Sequence, residues 1–417
     1  SSVVDVNNVE DSVEGMEGVV YHTDSLYSCS QDAQEVLKDK IGEHNLNRVV
    51  IAACSPKTHE TIFRGVMIRS GLNPYLLEMA NIRNMSSWVH KNNGSSATVK
   101  AFDMVAMAVN KARLLTPLES STLPLRQSAL VIGGGIAGMT AATALDRQGF
   151  ETHLVEHDNR LGGVLNHLGE IAPANIIAAD IIAAKTREIN ASDIKVHLNT
   201  KVDTIAGIVG SFQTQLKSGT HEGQALEVGT VVVATGANIY PADEFGYNED
   251  PHVINNLELE ELLQTSSIQA ERITFVACVG SRQNSQGCSR YCCTSMLHQA
   301  KKLREMGKKV HVIYKDIRTY TRHAEELYEE TMRAGVRFYR YDPHLTPQQA
   351  IRYADGQVEM YDQQLGANII IPSDLLVLVI GLIPAEDNLA EQLKLARSED
   401  GFYMELHPKL GPVQTAI

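Results

Sequence analysis

The 417-residue sequence is short of several things, and each shortage excludes something. It contains no run near the ~20 apolar residues that cross a bilayer, so no membrane span is expected. Its first residues, Ser1 to Glu14, are polar and acidic rather than basic and then apolar, which speaks against an export leader and for a cytoplasmic protein. Positive charge is scarce: 37 Lys+Arg stand against 50 Asp+Glu, a formal net charge of −13, and no basic face is available to displace phosphate counterions. Nucleic acid is therefore not an expected partner. Cysteine is scarce as well, six residues in all, too few and too unevenly placed for a disulfide framework. Hydrophobic residues at 43% and charged residues at 21% are those of a folded protein, which removes disorder and fibrous repeats, and the length allows two or three domains.

What is present is organised. Residues 1–116 alternate short apolar runs with amphipathic segments and end on an Ala-, Val- and Met-rich helix from Val99 to Leu114, the pattern of a small α/β domain. Pro117, Pro124 and the polar residues between them read as a linker. Then come a buried strand over Ser128–Ile132, the turn Gly133–Gly138, a helix to Gln148 and a second strand ending at Glu156: a βαβ unit with G-x-G-x-x-G in register. A second strand–loop–helix–strand runs from Ile273 to Tyr314, and a buried strand over Leu375–Ile380 ends in Gly381. These two units imply paired Rossmann-type domains. The first is expected to be discontinuous, over 127–254 and 376–417, with 255–375 inserted.

In the first loop, Gly133 permits the tight turn, Gly135 lets the backbone approach a pyrophosphate, and Gly138 lets the helix pack on the sheet. Glu156 ends the second strand, where an acid accepts from a ribose 2′-hydroxyl. The run from Glu156 through Arg160 to Gly162-Gly163, followed by Ala234-Thr235-Gly236, resembles FAD-binding proteins of the thioredoxin and glutathione reductase superfamily. The resemblance implies FAD, and extends the candidate contacts to Ile136, Ala137, Arg160, Gly162, Gly163, Val202, Ala234, Thr235, Gly236 and Gly381. No C-x-x-C pair is present, so disulfide exchange of the usual kind is not expected, and the Gly-Asp turn of that superfamily is not found before Ile417.

The second loop departs from the dinucleotide pattern. Cys278, Cys288, Cys292 and Cys293 stand in the spacing C-x9-C-x3-C-C, from a strand end through a loop to a helix start. Soft thiolates so placed suit zinc or an iron–sulfur cluster. Buried inert thiols and structural zinc remain alternatives, although adjacent Cys292-Cys293 strain a tetrahedral single-ion site; a [4Fe–4S] cluster is the favoured reading, its charge offset by Arg282, Arg290 and the helix end. Lys315 and Arg318 would suit an NAD(P)H phosphate, but the glycine loop that such a site needs has been replaced by cysteines.

Taken together, Cys278-Val279-Gly280-Ser281-Arg282, Cys288-Ser289-Arg290-Tyr291-Cys292-Cys293, Ala52-Ala53-Cys54-Ser55-Pro56, Thr58-His59-Glu60 and Ala80-Asn81-Ile82-Arg83 resemble the A-subunit family of heterodisulfide reductase. The resemblance implies a homodimeric electron-transfer component that contains FAD and a [4Fe–4S] cluster and works with B- and C-type partner subunits. In some members it implies flavin-based bifurcation as well. The likeness is incomplete. Many members carry an earlier C-x-C-G, a cysteine where Ser86 stands, and ferredoxin-like cysteine runs, none of which occurs here. Cys29 and Cys54 match family cysteines, yet two thiols do not make a cluster site. A zinc-stabilised scaffold and a stand-alone NAD(P)H-dependent flavin reductase are the competing readings.

Overall fold

The computed structural model describes residues 3–119, 122, 125–219, 223–265, 267–283 and 286–404. It divides into two compact units, with the break near residue 123. In the first, Val49–Ala52 and Leu77–Ala80 form a parallel pair in the register Val49↔Leu77. Side chains alternate across this pair. Val50 and Ala52 join Ala97, Ala101, Val105 and Ala108 of the helix Gly94–Leu114, where small residues one turn apart admit Val4, Val9 and Val13. Val49 and Ile51 face Phe63 and Met67 of the helix Pro56–Arg69 and Ile41 of the helix Gln31–Glu43. The caps are local: Ser30 accepts from Ala33 N–H, Pro56 occupies the first turn of its helix, and Asn93 accepts from Ser96 N–H.

The second unit contains two parallel sheets. The first has the order Thr230–Val233, Ser128–Ile132, Glu151–Val155, Lys195–His197. Ser128–Ile132 is buried at every position, as a central parallel strand requires. The second has the order Val253–Asn255, Leu375–Ile380, Arg272–Val279, Lys309–Tyr314, Arg337–Arg340, all parallel. Each is accompanied by a three-stranded antiparallel excursion, 200–228 for the first and 351–372 for the second. The same plan is built twice, in agreement with the paired Rossmann-type architecture read from the sequence.

One expectation needs correction. Leu375–Ile380, assigned to the start of the returning first domain, is hydrogen bonded between Val253–Asn255 and Arg272–Val279 and is a central strand of the second sheet. The chain turns back directly after it: Leu382–Pro384 pairs antiparallel with Ala237–Ile239, and Leu389 and Leu393 pack with Leu130, Ile205 and Phe212. A fully buried parallel strand has the same apolar run in either sheet, so its sequence does not say which sheet it joins. The end of the expected segment, 405–417, lies outside the described residues.

Candidate functional site

The first loop is shaped by close backbone approaches. Gly133 has φ +108° and a Cβ there would meet Ala234 O at 2.3 Å; a Cβ on Gly138 would meet Gly133 O at 1.7 Å. Both positions require glycine. Around Gly135, the N-cap of the helix Ile136–Arg147, a Cβ would meet nothing within 4 Å, and the same holds at Gly236. The open space thus lies at the positive end of a 12-residue helix, flanked by Ile136 and Ala137. Gly162 N–H donates to Gly134 O at 2.9 Å, and Gly163 presses on Gly135, so the Gly-Gly pair is docked on the loop.

Glu156 is buried. One carboxylate oxygen accepts from Gly134 N–H at 2.5 Å and the other from Asp158 N–H at 2.9 Å, so the acid braces the loop while keeping lone pairs in reserve. Arg160 is exposed, and Val202 is half-buried in the strand Thr200–Ile208, packed toward the core of the first half. Thr235 Oγ1 donates to Asp387 at 3.3 Å; Asp387 also accepts from Arg397 at 2.7 Å and Tyr403 OH at 2.6 Å. Nothing in the sequence singled out this trio, because its members lie some 150 residues from the turn they hold. Gly381 packs on the cysteine loop: a Cβ there would meet Gly280 O at 2.6 Å, its N–H donates to Val279 O, and its carbonyl accepts from Tyr240 N–H. It belongs to the cysteine loop, because the strand that carries it belongs to the second sheet.

The cysteine loop occupies the place of the glycine loop in the second half. The strand Arg272–Val279 has an irregular register between Val276 and Val279, and Cys278 takes φ +69° there. Cys292 and Cys293 open the helix Cys292–Glu305. Cys278, Cys292 and Cys293 are buried and Cys288 is partly so. The intervening loop is stapled: Ser281 Oγ donates to Gly287 O, Ser289 N–H to Ser281 Oγ, and Leu382 N–H to Ser289 Oγ. Arg282 pairs with Asp316, and Tyr291 OH donates to Ile380 O at 2.7 Å.

Burial pushes the Cys278 thiol up to about 11; the Cys293 sulfur adds to this, and the Arg282 guanidinium and Lys315 ammonium oppose it. Burial likewise raises Cys292 and Cys293, the latter opposed by a hydrogen bond from Arg318 N–H. Cys278, Cys292 and Cys293 therefore feel their neighbouring sulfurs, and Arg282 acts on both Cys278 and Cys293. A soft metal bound by such a set would hold the cysteines as thiolates, since coordination deprotonates a thiol outright. Lys315 is buried beside this group, and Arg318 is engaged with Asp316 and Tyr320, which accounts for the pair without a nucleotide phosphate. In the first unit, Arg83 donates to Cys54 Sγ at 3.2 Å, Cys29 is exposed, His59 bonds Thr58, and the buried Ser86 donates to Ala97 O.

Comparison with known proteins bears on this arrangement. Residues 127–405 match the family model of pyridine nucleotide-disulphide oxidoreductases. The chain is 32% identical to an iron-sulfur A-subunit of the CoB–CoM heterodisulfide reductase of Methanopyrus kandleri, over 100% of this chain and 78% of that one. The chain belongs to the A-subunit family of heterodisulfide reductase. The corresponding protein of Methanocaldococcus jannaschii is 31% identical over 100% of this chain and 78% of its own length. Among solved structures, a thioredoxin reductase from T. acidophilum aligns with a TM-score of 0.49 at 14% identity, over 69% of this chain and 86% of that one. Membership makes the chain an oxidoreductase component. No helix among the described residues is long and apolar enough to cross a membrane.

Proposed function

We propose that this chain is an electron-relay subunit that holds FAD in its first Rossmann half and a [4Fe–4S] cluster in its second. The observation that carries the reading is the gathering of Cys278, Cys288, Cys292 and Cys293 at the strand end and helix start of one half, while the equivalent point of the other half is an open glycine loop. The donor set fits both groups. Gly133, Gly135 and Gly138 with Ile136 and Ala137 would receive the pyrophosphate, Glu156 and Arg160 the adenosine side, and Gly162, Gly163, Val202 and Ala234–Gly236 the rest. The relatives are iron-sulfur subunits by name, which suits the cysteines.

No three of the four sulfurs lie within 4.8 Å of one another. A tetrahedral zinc site with Zn–S near 2.3 Å has sulfurs about 3.8 Å apart. The sulfurs therefore do not stand at the spacing of a preformed single-zinc site. When bound, the flavin passes electrons singly or in pairs and the cluster passes them singly. The protein's part is to bind, orient and shield: Arg282, Lys315 and the helix end offset thiolate charge, and the stapled loop holds the sulfurs in place. Homodimer formation, a cytoplasmic location, bifurcation and the B- and C-type partner subunits are the finer parts of this proposal.

The test is iron, acid-labile sulfide and FAD per chain on anaerobically purified protein, beside Cys288→Ser. The expected result is about four irons and four sulfides with one FAD, and loss of iron without loss of flavin in the variant. Zinc in place of iron supports the scaffold reading instead. Iron unaffected by the substitution removes these cysteines from the site, and rapid flavin bleaching by NAD(P)H alone supports the stand-alone reductase.

A further inference from the structure

The chain crosses between the two Rossmann halves twice, and the crossings lie side by side: Ala237–Ile239, leaving the first half, pairs antiparallel with Leu382–Pro384, which returns to it. A two-stranded ribbon is marginal by itself and is the kind of link about which halves turn. Away from this link, a segment of the first half reaches the second. It starts at Gly162, whose N–H donates to Gly134 O in the glycine loop, and continues through the turn Gly163–His167, held by Asn166 on Leu161 O and Gly163 O. At Gly169 it presses on the helix Asn256–Thr265: a Cβ there would meet Gln264 Cγ at 2.9 Å and Glu260 Oε1 at 3.3 Å.

Glu260 is the centre of this contact and is only 4% exposed. A carboxylate is seldom so buried unless donors fill its oxygens. One oxygen accepts from the first half, from Gly169 N–H at 3.2 Å and Glu170 N–H at 3.5 Å. The other accepts from Gln299 Nε2 at 2.8 Å, on the helix Cys292–Glu305 of the second half. Beside it, Glu170 of the first half holds Lys302 at 3.0 Å and stands 3.4 Å from His298 Nε2, and these two residues are four apart on one face of that same helix. His167 and Glu261 meet at the exposed rim, 3.3 Å apart. Parting the halves would leave Glu260 with Gln299 alone and Glu170 without Lys302.

We infer that Glu260 and Glu170 are positioning residues that latch the two halves in one orientation, fixing the helix of Cys292 and Cys293 relative to the glycine loop. The latch stands on these contacts. Its use, a constant separation between two redox sites, rests on the flavin and cluster reading above. The segment 162–170 is then a strut, tied to Gly134 at one end and to the cysteine helix at the other.

Hydrogen exchange read by mass spectrometry on the whole chain, as wild type, Glu260→Ala, Glu260→Gln and Glu170→Gln, tests this. In Glu260→Ala, exchange over 168–171 and in the two link strands is expected to speed roughly tenfold or more, as for loss of a charge-assisted hydrogen bond. Ser128–Ile132 and Lys309–Tyr314, inside the two sheets, keep wild-type rates. Glu260→Gln retains a carbonyl acceptor for Gly169 N–H and restores part of the protection. Glu170→Gln gives up only the ion pair with Lys302 and speeds the same segments by about two- to threefold; it carries the test alone if Glu260→Ala does not fold. Wild-type exchange in the link strands of the folded variants overturns the inference. A rise spread equally over both sheets assigns the acids to general stability and overturns it too. The exchange pattern decides the latch with or without bound cofactors, so a chain that takes up neither FAD nor iron refutes the relay reading separately.

Discussion

Gly138 and Gly135 separate two demands on the same loop, and alanine at each tests them apart. A Cβ on Gly138 meets Gly133 O at 1.7 Å, so the helix must move by at least 1.3 Å to reach the 3.0 Å that real contacts keep. The obstacle is backbone, fixed by Gly133 N–H donating to Val155 O at 2.8 Å, and has no side chain to swing away. Overpacking of this kind costs about 1–3 kcal/mol, partly offset by the ~1 kcal/mol that alanine gains over glycine within a helix. A net loss of about 1–2 kcal/mol lowers the melting temperature by roughly 2–8 °C. At Gly135, φ is −71° and the surroundings are open, so Gly135→Ala costs at most about 1 kcal/mol at the cap. There the methyl stands in the space proposed for the pyrophosphate, and FAD affinity falls about tenfold or more, as expected when a charge-assisted hydrogen bond is lost. Thermal melting of the FAD-free variants and FAD titration by fluorescence quenching measure both. Wild-type FAD affinity in Gly135→Ala refutes the site; wild-type melting in Gly138→Ala refutes the packing argument.

Asp387→Ala leaves Thr235, Arg397 and Tyr403 without their shared acceptor, and a loss of about 1.5–3 kcal/mol follows for a carboxylate only 13% exposed; a denaturant midpoint equal to wild type contradicts the network, and Asp387→Asn is expected to fall between. His153 and His197, stacked with Nδ1 and Nε2 3.0 Å apart, are both held below the ordinary imidazole value of 6.5, chiefly by burial, as are His298 and His311. The unfolded chain takes up these protons near pH 6.5 and the folded chain only at lower pH, so stability is full above that value and declines below it, by up to about 1.4 kcal/mol per pH unit per group. Denaturant midpoints at pH 7.5 and 5.5 check this, and a midpoint that holds or rises on acidification refutes it.

The features legible in the sequence were those that local backbone chemistry imposes. The buried run Ser128–Ile132, the three glycines after it and the cysteine spacing each state a constraint within a few residues. Membership of the A-subunit family was legible for the same reason, since its markers are contiguous strings. Leu375–Ile380 was misplaced because an all-apolar strand carries no mark of its neighbours. Asp387 was missed because its three partners are set by tertiary packing alone. Glu156 is marked in the sequence by its place at a strand end, but the bond to Gly134 N–H, which makes it a brace for the glycine loop, is visible only when strand end and loop are seen together.

On the proposed reading, the two loops give one fold position to two chemistries. In the first, the left-handed positions are glycines, Gly133, Gly162 and Gly163, at no steric cost. In the second they include Cys278, Arg282 and Arg290 beside Gly280, and side chains pay for that conformation with roughly 1–2 kcal/mol per residue. A backbone of this kind persists only where its surroundings over-determine it, and here they do: Ser281 and Ser289 bond across the loop, Arg282 N–H donates to Gly287 O, and Arg282 closes on Asp316. A glycine loop stays bare so that a phosphate can approach its N–H groups. A cysteine loop must instead project sulfurs inward, and turning the strand at Cys278 itself is what aims that side chain out of the strand's alternation. On the proposed reading, the bulge between Val276 and Val279 is the local change that converts a dinucleotide turn into a thiolate cradle, and the serine and arginine bonds are what keep it folded.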